Sequence, residues 1–206
     1  VTERAPTWVL ATSNRGKLRE LKELLADTRL TLRAQDELGI SNPEETAPTF
    51  VENALLKARH ASRLAGMPAI ADDSGLAVDA LDGAPGVHSA RFAGSQCSDA
   101  DNVRRLLSLL EGVPQAQRAA RFHCVVVALS GPSDPAPLIA SGTWAGRIAT
   151  APAGAGGFGY DPVFIGGTLK VTAAEMTLED KNRVSHRAQA LHVLRAILIP
   201  LLDAPA

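Results

Sequence analysis

Phe122-His123-Cys124-Val125-Val126-Val127-Ala128-Leu129 and Leu138-Ile139-Ala140-Ser141-Gly142-Thr143-Trp144-Ala145-Gly146-Arg147-Ile148 flank a stretch of Gly, Pro, Ser and Asp running from Ser130 to Pro137. Apolar, β-branched runs bounded by turn formers read as strands, and the short connection makes these two a hairpin. Upstream, Trp8-Val9-Leu10-Ala11 ends in the polar segment Thr12 to Lys17, after which Leu18, Leu21 and Leu25 recur at helical spacing: strand, loop, helix. Thr49 and Glu52 match a capping box, and Phe50, Ala54, Leu55, Ala58 and Leu64 then follow a helix that Gly66 can close. Ala69-Ile70-Ala71 and Leu76-Ala77-Val78 read as strand pieces on either side of Asp72-Asp73-Ser74-Gly75, an interruption that presents two acids. Ser98 to Leu110 reads as a helix stopped by Gly112 and Pro114. From Ser185 a helix carries Ala188, Leu191, Leu194, Ile197 and Leu198 on one face, and Pro200 is expected to bend or end it. Strands that alternate with helices, followed by an antiparallel pair, predict an α/β fold with a mixed sheet flanked by helices.

The chain has 206 residues, so at roughly 150 residues per domain one large domain or two closely joined lobes is expected. No linker divides it, and residues 1–206 are read as a single domain. A chain this long buries a core without disulfide or metal staples, so any metal would serve chemistry. Lys and Arg number 21 against 22 Asp and Glu, leaving a net charge of −1 and no basic excess to attract nucleic acid. Cys97 and Cys124 lack metal-ligand or disulfide spacing, which suits a reducing compartment. The stretch from Val1 to Thr7 has no apolar signal core and no run is long enough to span a bilayer, so a cytoplasmic protein without membrane partner is expected.

Four segments carry groups suited to chemistry. Thr12-Ser13-Asn14-Arg15-Gly16-Lys17 places small polar side chains, backbone N–H groups and a Lys at a helix start, which suits a phosphate; a plain N-capping loop is the other reading. Asp72 and Asp73, with Glu44 and Glu45 upstream, offer the hard oxygens that Mg²⁺ prefers or a base for water, while adjacent acids also occur in solvated turns. Gly154 to Pro162 lets backbone approach a ligand closely, with Phe158 or Tyr160 as a ring on which a base stacks and Asp161 as an acceptor; a glycine-rich turn is the alternative. Lys181 with Ser185-His186-Arg187 clusters donors near a helix start, where basic residues oppose the macrodipole and hint at an anionic ligand, or simply form a solvated first turn.

Ala11 to Lys17, Glu44-Glu45-Thr46 with Thr49 to Ala54, Ala71 to Leu76, Gly156 to Pro162 and Ser185-His186-Arg187 together resemble, in order and spacing, the inosine triphosphate pyrophosphatase family of non-standard purine nucleotide pyrophosphatases. The resemblance runs from about Val9 to Leu202. It implies a long mixed sheet in a two-lobed α/β body with the substrate in a central cleft, a homodimer, and a Mg²⁺-dependent hydrolase. The implied reaction splits ITP, dITP or XTP into the nucleoside monophosphate and pyrophosphate. By the same resemblance Thr12, Ser13, Asn14, Arg15, Gly16 and Lys17 hold the triphosphate, and Glu44 and Asp73 the metal. Asp73 also accepts the proton of the attacking water, and Ser74 touches substrate. Phe158, Gly159, Tyr160, Asp161, Lys181, His186 and Arg187 form the base pocket, with Phe158 against the ring. Because a metal-bound carboxylate is a poor base, Asp72 or another acid is an alternative proton acceptor. Ser13 stands where the family often has Gly, and Ala188 follows Ser-His-Arg where Gly is common. Two other functions fit the same motifs: a pyrophosphatase for nucleotides with other modified bases, and a non-catalytic nucleotide sensor.

Overall fold

The computed structural model describes residues 5–203; Val1 to Arg4, part of the stretch read above for a signal core, lie outside the described residues. Strands β1 (Thr7–Leu10), β2 (Thr31–Ala34), β3 (Ala69–Val78), β4 (Ala119–Leu129), β5 (Leu138–Ile148) and β6 (Phe164–Gly166) are accompanied by helices α1 (Arg15–Leu24), α2 (Phe50–Ala65), α3 (Asp99–Leu109), α4 (Leu178–Val184) and α5 (His186–Asp203). The strands form one six-stranded sheet in the order β2-β1-β3-β4-β5-β6. β1 pairs in parallel with β2 and β3, whereas β6 pairs antiparallel with β5, so the sheet is mixed as expected.

The chain divides into two compact units, each assembled from separated segments: Val1–Asp73, Cys124–Gly142 and Arg187–Ala206 in the first, Ser74–His123 and Thr143–His186 in the second. In the first unit successive residues of β1 enter different apolar layers. Trp8 and Leu10 pack with Leu21, Leu25, Ile70, Val126, Leu191 and Leu194, the layer of α1 and α5. Val9 and Ala11 pack with Ala54, Ala58, Ala61, Ala69, Ala71 and Val127, the layer of α2. Side chains alternate along a strand, and a strand covered on both faces reads as an uninterrupted apolar run, which is why Trp8 to Ala11 shows no polar alternation. The second unit has its own core of Leu76, Val78, Val103, Leu106, Phe122, Trp144, Ile148 and Phe164. There Phe122 and Trp144 pack on Phe164 with ring centroids 4.5 and 5.0 Å apart and tilts of 57° and 62°, the geometries that aromatic quadrupoles favour.

Helix ends follow the sequence signals closely. The Asn14 side chain accepts from the Lys17 N–H, and Thr49 accepts from the Glu52 N–H. Gly66 closes α2 in the left-handed conformation at φ 64°, where a Cβ would be strained. Ser98 and Asp101 form a reciprocal box at the start of α3. Buried Arg118, not singled out in the sequence, donates to the carbonyls of Leu110, Val113 and Ala149 at 2.7, 3.0 and 3.1 Å, and so satisfies acceptors that the C-terminus of α3 leaves open.

Three features depart from the sequence reading. β3 is one continuous strand through Asp72-Asp73-Ser74-Gly75, because the acids have buried cationic partners and need no break to reach solvent. α5 passes through Pro200 to Asp203; the ring sits in the last turn, and the carbonyl it leaves without a donor belongs to exposed Ala196, within reach of water. Leu64, counted among the apolar residues that run along α2, is 58% exposed. β2, β6 and α4, of 4, 3 and 7 residues, are elements that the sequence patterning does not reveal. Among the described residues no helix is long and apolar enough to cross a membrane.

Candidate active site

Asp72 and Asp73 follow one another in β3, so their side chains leave opposite faces of the strand. Asp72 enters the layer of α1 and α5. Its Oδ2 accepts from Lys17 Nζ at 3.2 Å and from Arg187 Nη2 and Nε at 3.1 and 3.3 Å. Arg187 Nη1 in turn pairs with Glu20 of α1, and both side chains are buried. Asp73 enters the layer of α2, where its Oδ1 accepts from Lys57 Nζ at 2.7 Å, and Lys57 also pairs with Glu45 at 3.0 Å. Three cations thus meet four carboxylates in the first unit, one negative charge in excess.

The protonation chemistry of the two aspartates differs. Burial pushes Asp72 up, but Lys17, Arg187 and Lys57 together outweigh it and hold the carboxyl far below the usual carboxylate range. For Asp73 burial is again the largest influence and prevails over Lys57 and Lys17, so its pKa is raised. Lys57 is pulled down by burial, yet Asp73, Asp72 and Glu45 keep it above its ordinary value. The Cys124 thiol, 3.9 Å from Asp72 Oδ2, is pushed up to about 12 by burial and the neighbouring carboxylate, and is an inert core group.

Asp72 Oδ1 and Asp73 Oδ2 are buried without a hydrogen-bond partner among the described residues. A buried carboxylate oxygen without a donor is costly and calls for an ion, a water or a ligand. Among those residues no group of three or more His, Cys, Asp or Glu is arranged to enclose a metal. Mg²⁺ needs no such cage, since it takes one or two carboxylates and completes its shell with water and substrate phosphates. The excess negative charge and the open Asp73 oxygen therefore fit it. Of the upstream acids, Glu44 is exposed, whereas Glu45 is the one that reaches Lys57.

The polar loop before α1 is organised by its own side chains. Buried Thr12 accepts from the Asn14 N–H at 3.2 Å, and Asn14 accepts from the Lys17 N–H at 3.0 Å. Ser13 donates to Asp36 at 2.7 Å and accepts from Gln35 at 2.9 Å, which ties the loop to the turn after β2. Arg15 is exposed, Gly16 and Lys17 half-buried, at the helix start where N–H groups favour an anion.

The second unit holds the glycine-rich segment. Buried Asp161 accepts from Lys181 Nζ at 2.5 Å and from the Phe158 N–H at 2.9 Å through the same Oδ2. Lys181 Nζ also lies 4.9 Å from the Phe158 ring centroid. Gly157 has φ 70°, and a Cβ there would come within 2.1 Å of Asp161 Oδ2, so both backbone shape and close approach demand Gly. The Tyr160 hydroxyl donates to the Ser89 carbonyl at 2.9 Å, and burial raises its pKa. The His186 ring stacks on Phe122 at 4.6 Å and 10°. Ser74 opens this unit within β3, half-buried. The structure thus gathers Phe158, Gly159, Tyr160, Asp161 and Lys181 around one loop. Arg187, expected with them from the sequence, belongs to the first unit and directs its guanidinium at Glu20 and Asp72.

Sequence reading missed Lys57 and Glu20, and the helical periodicity held the signal. Lys57 lies among Asn53, Ala54, Ala58, Ala61 and Ser62 on the buried face of α2, and Glu20 precedes Leu21 on the buried face of α1. Charges on a buried stripe are rare unless paired.

Comparison with known proteins is consistent along the chain. The model of the Ham1 family matches residues 8–197. The dITP/XTP pyrophosphatase of Yersinia pseudotuberculosis is 58% identical over 186 residues, 90% of this chain and 94% of the relative. That of Escherichia coli K12 is 55% identical over the same shares. A solved HAM1 protein from Coxiella burnetii superposes with a TM-score of 0.85 at 47% identity, covering 94% of this chain and 98% of the other. The Staphylococcus aureus Ham1 protein does so with a TM-score of 0.80 at 39% identity, over 93% and 97%. The mixed sheet, the motifs in order and these likenesses agree: the chain belongs to the Ham1 family.

Proposed function

We propose that this protein hydrolyses deaminated purine nucleoside triphosphates, ITP, dITP and XTP, to the nucleoside monophosphate and pyrophosphate. The observation that carries the reading is buried Asp73, whose Oδ1 is fixed by Lys57 while its Oδ2 has no donor among the described residues. That arrangement, in a chain whose relatives are dITP/XTP pyrophosphatases, supports metal-assisted attack of water on a phosphoric anhydride.

Asp73 and Glu44 would hold Mg²⁺, which when bound neutralises charge on phosphate oxygens and lowers the pKa of water. Lys17 and the N–H groups at the start of α1 bind triphosphate oxygens, with Thr12, Ser13, Asn14, Arg15 and Gly16 shaping the loop. The family likeness assigns the proton of the attacking water to Asp73, and geometry supports it: Asp72 Oδ2 is committed to Lys17 and Arg187, whereas Asp73 Oδ2 has no donor among the described residues. Asp72, Arg187 and Glu20 hold Lys17 in place. Ser74 contacts substrate.

The base is assigned to the residues of the second unit. Phe158 offers a ring for stacking, and Gly159, Tyr160, Asp161, Lys181 and His186 shape the edge that is read. A 6-oxo group accepts a hydrogen bond where the 6-amino group of ATP donates, so the Lys181 ammonium and backbone N–H groups favour inosine and xanthine over adenine. The family likeness supports a homodimer in the cytoplasm, and the free thiols Cys97 and Cys124 suit a reducing compartment.

The test is turnover of ITP, dITP, XTP, ATP and GTP by purified protein with Mg²⁺ and then with EDTA. We expect ITP, dITP and XTP to be consumed, ATP to be nearly inert, and EDTA to abolish the reaction, with GTP, which shares the 6-oxo group, reporting whether the 2-amino group is also read. Equal turnover of all five would overturn the base assignment, and undiminished turnover in EDTA the metal.

A further inference from the structure

The loop from Gly157 to Tyr160 is tied down on several sides. Phe158 donates to Asp161, Tyr160 to the Ser89 carbonyl, and the Gly156 N–H to the Ala174 carbonyl at 2.9 Å. One further tie comes from a side chain 60 residues away in sequence: Asp99, the first residue of α3, accepts the Gly159 N–H through Oδ2 at 2.6 Å.

The first turn of α3 carries two acids, and they divide the work. Asp101 closes the helix end, accepting from the Ser98 hydroxyl at 2.6 Å and the Ser98 N–H at 2.9 Å while its own N–H donates to Ser98 at 3.2 Å. The capping is therefore complete without Asp99, whose carboxylate reaches out of the helix to the loop. Gly159 has φ 60°, a conformation it can leave readily once its N–H is released, since Gly is indifferent to the sign of φ. The peptide that Asp99 holds is the one that joins Phe158 to Gly159, directly after the residue whose ring centroid lies 4.9 Å from Lys181 Nζ.

We infer that Asp99 is a positioning residue for base selection: by holding the Gly159 N–H it keeps the Phe158 ring and the Lys181 ammonium in the register that recognises a 6-oxopurine. The inference rests on the proposed function. The residues assigned to the triphosphate lie elsewhere in the sequence, so loss of the anchor weakens nucleotide selection far more than the chemical step.

Three variants test it: Asp99→Ala removes the acceptor, Asp99→Asn keeps an amide oxygen that can accept the same N–H, and Asp101→Ala removes the helix cap and the exposed Arg104 pair while leaving the Gly159 acceptor in place. Asp99→Ala is expected to raise KM for ITP about three- to tenfold, the effect of losing one solvent-exposed hydrogen bond of about 1 kcal/mol, and to lower the ITP-to-ATP ratio of kcat/KM while kcat stays within about twofold. Asp99→Asn should restore most of both, and Asp101→Ala should lower thermal stability without moving the ratio. Amide exchange supplies a readout independent of turnover: protection at residues 157–160 should fall in Asp99→Ala and recover in Asp99→Asn. Unchanged KM and ratio in Asp99→Ala, failure of Asp99→Asn to rescue, or an equal loss of selectivity in Asp101→Ala would each overturn the inference. A wild-type protein inert toward ITP would instead overturn the functional reading, and the exchange data would still decide whether Asp99 anchors the loop.

Discussion

A strand turns successive side chains to opposite faces, and at Asp72 and Asp73 that alternation separates two carboxylates into different electrostatic settings. Asp72 shares one oxygen among Lys17 and two nitrogens of Arg187, and its proton is lost well below the usual range. Its contribution to stability is therefore fully present above the unfolded value of 3.8 and is lost as pH falls through that value toward the lower folded one. Asp72→Asn should cost about 3–5 kcal/mol at neutral pH, because Arg187 and Lys17 lose their shared partner in a buried site. It should also flatten the loss of stability below pH 3.8, measured by urea unfolding as a function of pH. An acid limb as steep as that of wild type would assign the loss to other groups. Asp73 calls for the opposite experiment. Asn at position 73 can still accept from Lys57, so the fold should survive, while kcat falls about 10²- to 10⁴-fold with loss of the base. Near-normal turnover by a folded Asp73→Asn protein would remove Asp73 from the mechanism.

At the level of elements, what the sequence made legible was periodicity and punctuation. α2 began at Phe50 after Thr49 and ended at Gly66 as the capping box and glycine indicated, and α3 followed Ser98. Thr49→Ala should therefore lower stability by about 1 kcal/mol, read as a fall in the urea midpoint at constant slope. No change in midpoint would show that α2 is held by its alanine-lined face alone. The misread elements have physical causes. Polar residues in a strand are taken for a break unless their partners are known, and the partners of Asp72 and Asp73 lie 55, 16 and 115 positions away in sequence. Short strands such as Phe164–Gly166 carry too few residues to show a period. Lys57 is one charge on a helix rich in charges, and only its place beside Asn53, Ala54, Ala58 and Ala61 marks it as buried.

For the whole molecule, the two units take turns along the chain, and the division falls between Asp73 and Ser74 and again between His186 and Arg187, inside two of the motifs. Residues adjacent in sequence thus serve different clusters: His186 stacks on Phe122 in the second unit, while Arg187 braces Asp72 in the first. A linear motif reports that Ser-His-Arg matters but not that its members part company, so the sequence alone places Arg187 with the base. The mixed sheet, by contrast, followed from the hairpin run and the earlier strand–helix alternation, both visible as composition. The central claim is that these parts cleave a deaminated purine triphosphate to release pyrophosphate. The most direct measurement is the phosphorus NMR spectrum of products formed from ITP and Mg²⁺ by the wild-type protein. The account predicts inosine monophosphate and pyrophosphate in equal amounts; orthophosphate with inosine diphosphate would contradict it.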